Sequence, residues 1–264
     1  MTKIGFIGTG NMGGAMLKGL SPLNKIELYA YDIDIKKIKN LSCSSKINIC
    51  TNTLELAEKT DYIILAVKPY LVSSIIQEIK PKLRAQKCII SIAAGVNLNT
   101  LIQSCEKKCA CIRVMPNTPA LVGKGVFALC FDDPNLNKTQ KNFIFDLFSH
   151  LGTSYILSEN YFDAFTALIG SGPAFVFLIL ESFIQAGVTL GFTAEQSKEM
   201  IIKLFEGSLE LTSYLSNKHL SELKDMVTSP GGTTVYGLNS MEFNGLKKAI
   251  IEGIIASYKR SKEL

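Results

Sequence analysis

Up to about residue 157 the hydrophobic pattern consists of short apolar or β-branched runs alternating with segments whose apolar positions recur at helical spacing. Such alternation predicts βαβ units and a parallel sheet. Strands are expected at 4–7, 26–31, 47–50, 62–67, 88–92 and 111–114, and the runs VFALCF at 126–131 and TSYIL at 153–157 extend the sheet. From Tyr161 onward the strand signals fade and glycine-rich breaks separate long segments of helical period, so this half is expected to be mostly helical. TAEQ at 193–196 matches a capping box, with Thr193 and Gln196 satisfying amides at the start of a helix that runs to about Tyr214. The abrupt change of pattern places a boundary near Ser158, giving an α/β first domain (1–158) and an all-helical second domain (159–264).

Composition narrows the class. The chain has 264 residues, 47% hydrophobic and 19% charged, which is a well-packed globular composition with room for two modest domains. The most apolar window, PAFVFLIL at 173–180, stops at Glu181, short of the roughly 20 residues that cross a bilayer, so no membrane span is expected. Met1-Thr2-Lys3 runs straight into a strand-like segment without the apolar stretch of a secretory signal, and a cytoplasmic protein is expected. The seven cysteines are odd in number and include no Cys-x-x-Cys. Cys105, Cys109 and Cys111 cluster most tightly, but a fourth ligand is missing and His150 and His219 lie far away, so the expectation is thiols in a reducing compartment and no metal. The net charge of +5 is spread over scattered lysine pairs, which argues against nucleic acid and suits a small anionic substrate or a phosphorylated cofactor.

The candidate chemistry begins at the first strand. Gly8-Thr9-Gly10-Asn11-Met12-Gly13 is a complete G-x-G-x-x-G between that strand and the helical pattern MGGAMLKGL. Here Gly8 makes the tight turn, Gly10 lets backbone approach a pyrophosphate, and Gly13 lets helix and strand pack closely. The phosphates sit at the positive, amide-rich helix start, which makes this a Rossmann dinucleotide-binding domain. Asp32 ends the second strand about 20 residues further on, where an acid hydrogen-bonds the adenosine ribose. A carboxylate there favours NADH, whereas Lys36 and Lys37 are near enough to neutralise the extra phosphate of NADPH, so either cofactor is admitted. A strand-end turn in which Asp32 or Asp34 caps the next helix is the structural alternative. The fourth strand closes with AVKPY at 66–70, where Pro69 ends it and leaves Lys68 at the carboxyl edge of the sheet.

Four further stretches, SIAAGV at 91–96, RVMPNTPA at 113–120, GSGPAF at 170–175 and VTSPGGTT at 227–234, follow in an order and spacing that resembles the pyrroline-5-carboxylate reductase family. The resemblance runs from the glycine loop to the terminal ASYKRSKEL. It implies an NAD(P)H-binding Rossmann domain, a helical C-terminal dimerisation domain, and a homodimer, which in the family often assembles into a ring of dimers. The implied reaction is reduction of 1-pyrroline-5-carboxylate to L-proline, the last step of proline biosynthesis. Carried over by position, Ile7, Gly8, Thr9, Gly10, Asn11 and Met12 hold the pyrophosphate, and Ala66, Val67, Lys68 and Pro69 line the nicotinamide side. Thr53 matches a position near the ribose that is often Asn in the family. Ser229, Gly231, Gly232 and Thr233 hold the substrate carboxylate, Thr234 lies near the ring nitrogen as the catalytic residue, and Asn117 contacts substrate. The residues agree independently, because Ser-Pro-Gly-Gly-Thr-Thr joins a turn to a helix start and leaves bare amides for an anion, although a plain helix cap would read the same.

Hydride transfer to a carbonyl builds charge on oxygen, so alcohol-forming dehydrogenases supply a proton donor such as His or Lys. The segment PAFVFLILESFIQAGVTLGF at 173–192 contains neither. A cyclic imine protonated at nitrogen already carries the charge that hydride neutralises, and orientation then matters more than acid. The alternatives are a β-hydroxyacid dehydrogenase or another imine reductase, disfavoured by the absent lysine, and a nonenzymatic NAD(P)-binding redox sensor, disfavoured by the intact SPGGTT loop.

Overall fold

In the computed structural model, which describes residues 1–42 and 46–263, all eight expected runs become strands. They are β1 (Thr2–Ile7), β2 (Ile26–Tyr31), β3 (Ile47–Ile49), β4 (Tyr62–Leu65), β5 (Cys88–Ser91), β6 (Ala110–Met115), β7 (Gly125–Cys130) and β8 (Gly152–Ile156). One sheet holds them in the order β3-β2-β1-β4-β5-β6-β7-β8, parallel throughout except between β6 and β7. The order runs outward from β1 on one side and from β4 on the other, so the topological switch lies between these two strands. Ile7 stands opposite Leu65 in the register, and the loops that follow therefore leave the sheet side by side.

Side chains alternate between two apolar clusters, one on each face. Ile4 and Phe6 join Ile64, Ile90 and Ile112, whereas Ile7 joins Ile63, Leu65 and Ile89. A sheet buried on both faces needs apolar residues at every position, which is why its strands read as continuous runs. The helices α1 (Asn11–Leu20), α2 (Ile35–Ser42), α3 (Thr53–Lys59), α4 (Val72–Ile79), α5 (Leu98–Ser104) and α6 (Lys138–Ser149) connect the strands. Asn52, Asn97 and Asn137 cap α3, α5 and α6, each side chain accepting from the amide three residues on.

Beyond the sheet the chain is helical. A short α7 (Phe162–Phe165) passes through a π-type turn (Thr166–Gly170) towards α8 (Gly172–Thr189), followed by α9 (Ala194–Tyr214), α10 (Leu220–Met226), α11 (Thr233–Phe243) and α12 (Leu246–Ser261). The capping box of α9 forms: Gln196 N donates to Thr193 Oγ1 at 3.2 Å, and Thr193 N donates to Gln196 Oε1 at 3.1 Å.

Two compact units result: residues 1–171 together with the chain from Tyr258 on, and residues 172–257. By contacts the division falls inside the Gly170-Ser171-Gly172 break, and the segment from 159 to 171 is bound into the first unit. Phe162 and Phe165 are buried in its core. Arg113 Nη1 donates to Glu159 Oε1 at 3.1 Å, its guanidinium lying 4.8 Å from the centre of the Phe162 ring. At the far end of the chain, Ser261 Oγ donates to Asp163 Oδ1 at 2.9 Å.

Within the second unit, Phe183 of α8 meets Phe205 of α9 edge-on, with ring centroids 5.3 Å apart. Much of the remaining surface is apolar and uncovered: Phe177 is 63% exposed and Phe243 92%. The helical run Glu159–Thr189 is long and apolar enough, by length and composition, to cross a membrane. The apolar window of 173–180 understates it, because the helical run begins before Gly170 and continues past the single carboxylate of Glu181.

Candidate active site

Beyond the last paired residues of the strands, Gly8 N donates to Tyr31 O at 2.8 Å and Ala66 N donates to Ile7 O at 2.9 Å, drawing three strand ends around one crevice. Gly8 is left-handed (φ +96), and a Cβ there would stand 2.5 Å from Ala66 O, so both backbone and packing demand glycine. Gly10 is different. Its φ is −63, which any residue adopts, and a Cβ built on it would meet no protein atom within 4 Å. Neither strain nor packing explains this glycine; room for a ligand against the backbone does. The helix it introduces, α1, has no side-chain cap, so its first amides are free to face an anion. These are the features a pyrophosphate requires, and NADH or NADPH fits them.

The crevice opens into a cleft of about 720 Å³, within the span of roughly 300–1,000 Å³ usual for ligand sites. Every residue expected to hold the cofactor lines it except Thr9 and Pro69. Pro69 instead opens a short 3-10 turn that ends the strand segment. Thr9 turns inward, its amide and hydroxyl donating to Asp32 Oδ2 at 2.6 and 3.0 Å, while Asp34 N donates to Asp32 Oδ1 at 2.9 Å. Burial pushes the Asp32 carboxyl up, but the amides of Asp34 and Thr9 and the Thr9 hydroxyl outweigh it, and the group ionises below its ordinary value. Asp34 takes the capping role at α2, its Oδ1 accepting from Lys36 N at 3.1 Å. Lys37, and not Lys36, lines the cleft.

Thr53 is buried, and its hydroxyl donates to Glu78 Oε1 at 2.5 Å. Glu78 lines the cleft as well, and nothing in the sequence marks it: 25 residues separate it from Thr53, and the two meet only when α3 and α4 pack on the same face of the sheet. Asn117 is not among the residues that line the cleft. It is 7% exposed, its Oδ1 accepts from Val126 N at 2.9 Å, and its Nδ2 donates to Ile169 O at 3.3 Å. The side chain ties β7 to the π-type turn, and its polar groups are engaged inside the first unit.

In the second unit, Thr228 N donates to Asp225 O at 3.0 Å and Gly232 N to Ser229 O at 3.1 Å, with Gly231 left-handed at φ +68. This turn delivers the start of α11, an eleven-residue helix whose N-cap, Gly232, offers no side chain to its first amides. Ser229, Gly231 and Thr233 are exposed and Thr234 is half-buried. Among the described residues, the Thr234 hydroxyl has no hydrogen-bond partner. Bare amides, a positive helix end and a free hydroxyl together suit a small carboxylate.

Residues 159–264 match the family described as pyrroline-5-carboxylate reductase dimerisation, and residues 3–95 match that described as NADP oxidoreductase coenzyme F420-dependent. The pyrroline-5-carboxylate reductase of Methanosarcina acetivorans is 34% identical across 99% of this chain and 97% of its own length. The chain belongs to the pyrroline-5-carboxylate reductase family. A second relative in that family, from Aquifex aeolicus, is 35% identical across 99% of this chain and 97% of its own. The crystal structure of Plasmodium falciparum pyrroline carboxylate reductase with NADP bound superimposes with a TM-score of 0.90 at 36% identity, covering 99% of this chain and 97% of that one. The fold is therefore an N-terminal Rossmann-like domain followed by the helical dimerisation segment of pyrroline-5-carboxylate reductases. That segment contains the uncovered apolar surface of the second unit.

Proposed function

We infer that this chain is a pyrroline-5-carboxylate reductase, reducing the C=N bond of 1-pyrroline-5-carboxylate with NADPH or NADH to give L-proline. The observation that carries this reading is identity of about one third over the full length of reductases from distant organisms, joined to a dinucleotide cleft at the switch between β1 and β4.

The bound cofactor supplies the hydride; positioning is the work of the chain. The amides at the start of α1 hold the pyrophosphate, and Gly10 keeps side chain out of its way. Asp32 accepts from the ribose hydroxyls through lone pairs left over by Thr9 and Asp34. Its fixed charge, with the Glu78 carboxylate in the same cleft and Lys37 the lysine that acts on Asp32 while Lys68 lies on the nicotinamide side, disfavours a 2′-phosphate, so NADH is the preferred cofactor. On α11 the amides of Thr233 and Thr234 receive the substrate carboxylate, and Ser229, Gly231 and Gly232 shape the turn that presents them. The Thr234 hydroxyl hydrogen-bonds the ring nitrogen and relays its proton. No lysine or histidine is needed, and α8 carries neither. The apolar surface of the second unit pairs with a second copy to give a homodimer, and dimers assemble into a ring in the cytoplasm.

The test mixes purified protein with NADH or NADPH, each with and without 1-pyrroline-5-carboxylate, and follows the loss of reduced-nicotinamide absorbance. Consumption is expected only when the imine is present, with the lower KM for NADH. Cofactor binding without consumption in either mixture would leave a sensor and not an enzyme.

A further inference from the structure

At the end of α5 the chain turns back into β6 through Cys105-Glu106-Lys107-Lys108-Cys109-Ala110-Cys111. Glu106 and Lys107 are both left-handed, at φ 53 and 58, an uncommon conformation for side chains of this kind. The turn gathers three thiols. The sulfurs of Cys105 and Cys111 lie 3.0 Å apart, and all three sulfurs lie within 4.8 Å of one another. Their residues are 0%, 2% and 0% exposed. Cys88 does not join them: it pairs with Ala110 in the register and belongs to the apolar cluster on the other face of the sheet. The nearby Asp133 carboxylate is occupied, Oδ2 accepting from Cys111 N at 2.7 Å and Oδ1 from Asn135 N at 2.9 Å.

We propose that Cys105, Cys109 and Cys111 form a closed site for one thiophilic metal ion, Zn²⁺ or Cu⁺. A metal–sulfur bond is about 2.3 Å, so an ion at the centre of three sulfurs spaces them about 4 Å apart, a separation the cluster already brackets. Thiolate ligands select soft ions of this class. Sequence spacing argues against such a site for want of a fourth ligand; Cu⁺ bonds three thiolates without one, whereas Zn²⁺ completes its usual four only with a solvent ligand, a difference the two loading arms read. A disulfide would engage two sulfurs and strand the third among apolar residues. On binding, each ligating thiol releases its proton to solvent as its sulfur bonds the ion. The ion clips the end of α5 to the amino end of β6, at the opposite edge of the sheet from the cofactor cleft.

The purified chain is loaded anaerobically with Zn²⁺ in one arm and Cu⁺ in the other, washed, and its metal content measured by elemental analysis. X-ray absorption then counts the sulfur neighbours. One equivalent is expected, with three sulfurs at about 2.3 Å. The equivalent is lost in Cys105→Ser, Cys109→Ser and Cys111→Ser and kept in Cys88→Ser and Cys130→Ser. Absence of a bound equivalent in both arms overturns the proposal, as does metal retained in all three cluster variants. A wild-type mass lower by two hydrogens, with peptide mapping that places the bond between Cys105 and Cys111, also overturns it. The sulfur count comes from the wild-type chain, so the answer stands even where a variant does not fold.

Discussion

Gly8 and Gly10 lie two positions apart in one loop, and substitution at each fails for an opposite reason. Gly8 is left-handed and tight against Ala66, so Gly8→Val is expected to lose soluble folded protein. Gly10→Val has allowed backbone and open space, and is expected to keep its Tm within a few degrees while abolishing NADH and NADPH binding in a fluorescence titration. Binding retained by Gly10→Val would sink the phosphate assignment. Asp32→Ser removes the repelling charge and leaves a hydroxyl for the ribose; the KM ratio is expected to move towards NADPH about tenfold or more, roughly 1.4 kcal/mol. Asp32 also links stability to pH. Its folded pKa lies below its unfolded value, so its contribution is complete above the unfolded value and lost as pH falls through the folded one. The Tm of Asp32→Asn is therefore expected to fall less steeply than wild type across the acid range. Thr234→Ala is expected to lower kcat about tenfold to a hundredfold while cofactor Kd stays put; equal turnover in both proteins would remove its role.

Among the elements, the segment 159–171 shows where reading the sequence succeeds and where it stops. The strands and the α9 cap are legible because each depends on neighbours a few positions away: continuous apolar runs for a doubly covered sheet, and Thr193 with Gln196 for the cap. The glycine loop is legible for the same reason. The placement of 159–171 depends on partners far off, Arg113 with Glu159 across 46 residues and Asn117 with Ile169 across 52, and no periodicity records them. Glu78 is placed in the same way, meeting Thr53 across 25 residues. The Arg113–Glu159 pair is correspondingly important to stability: Glu159→Ala strands a guanidinium whose side chain is 8% exposed and is expected to cost about 2–3 kcal/mol in chemical denaturation. A loss near zero would mean that the Phe162 ring alone holds the cation.

For the molecule as a whole, helical periodicity identifies apolar faces but not what covers them. The apolar window at 173–180 does not say what it packs against: Phe177 is 63% and Leu178 61% exposed in the single chain, as a dimerisation segment requires. Phe177→Asp is expected to weaken association by about 2 kcal/mol or more, seen as a fall towards monomer mass in light scattering. An unchanged mass would move the interface to another part of 172–257. The bond from Ser261 to Asp163 bears on the molecule in another way. Since the chain leaves the sheet domain at 171 and comes home to it at 258, the second unit is spliced into the first and not appended to it. A protease that nicks the backbone once inside the excursion leaves both severed ends still rooted in the same body, and only trimming the last few residues would turn the loop into a tail.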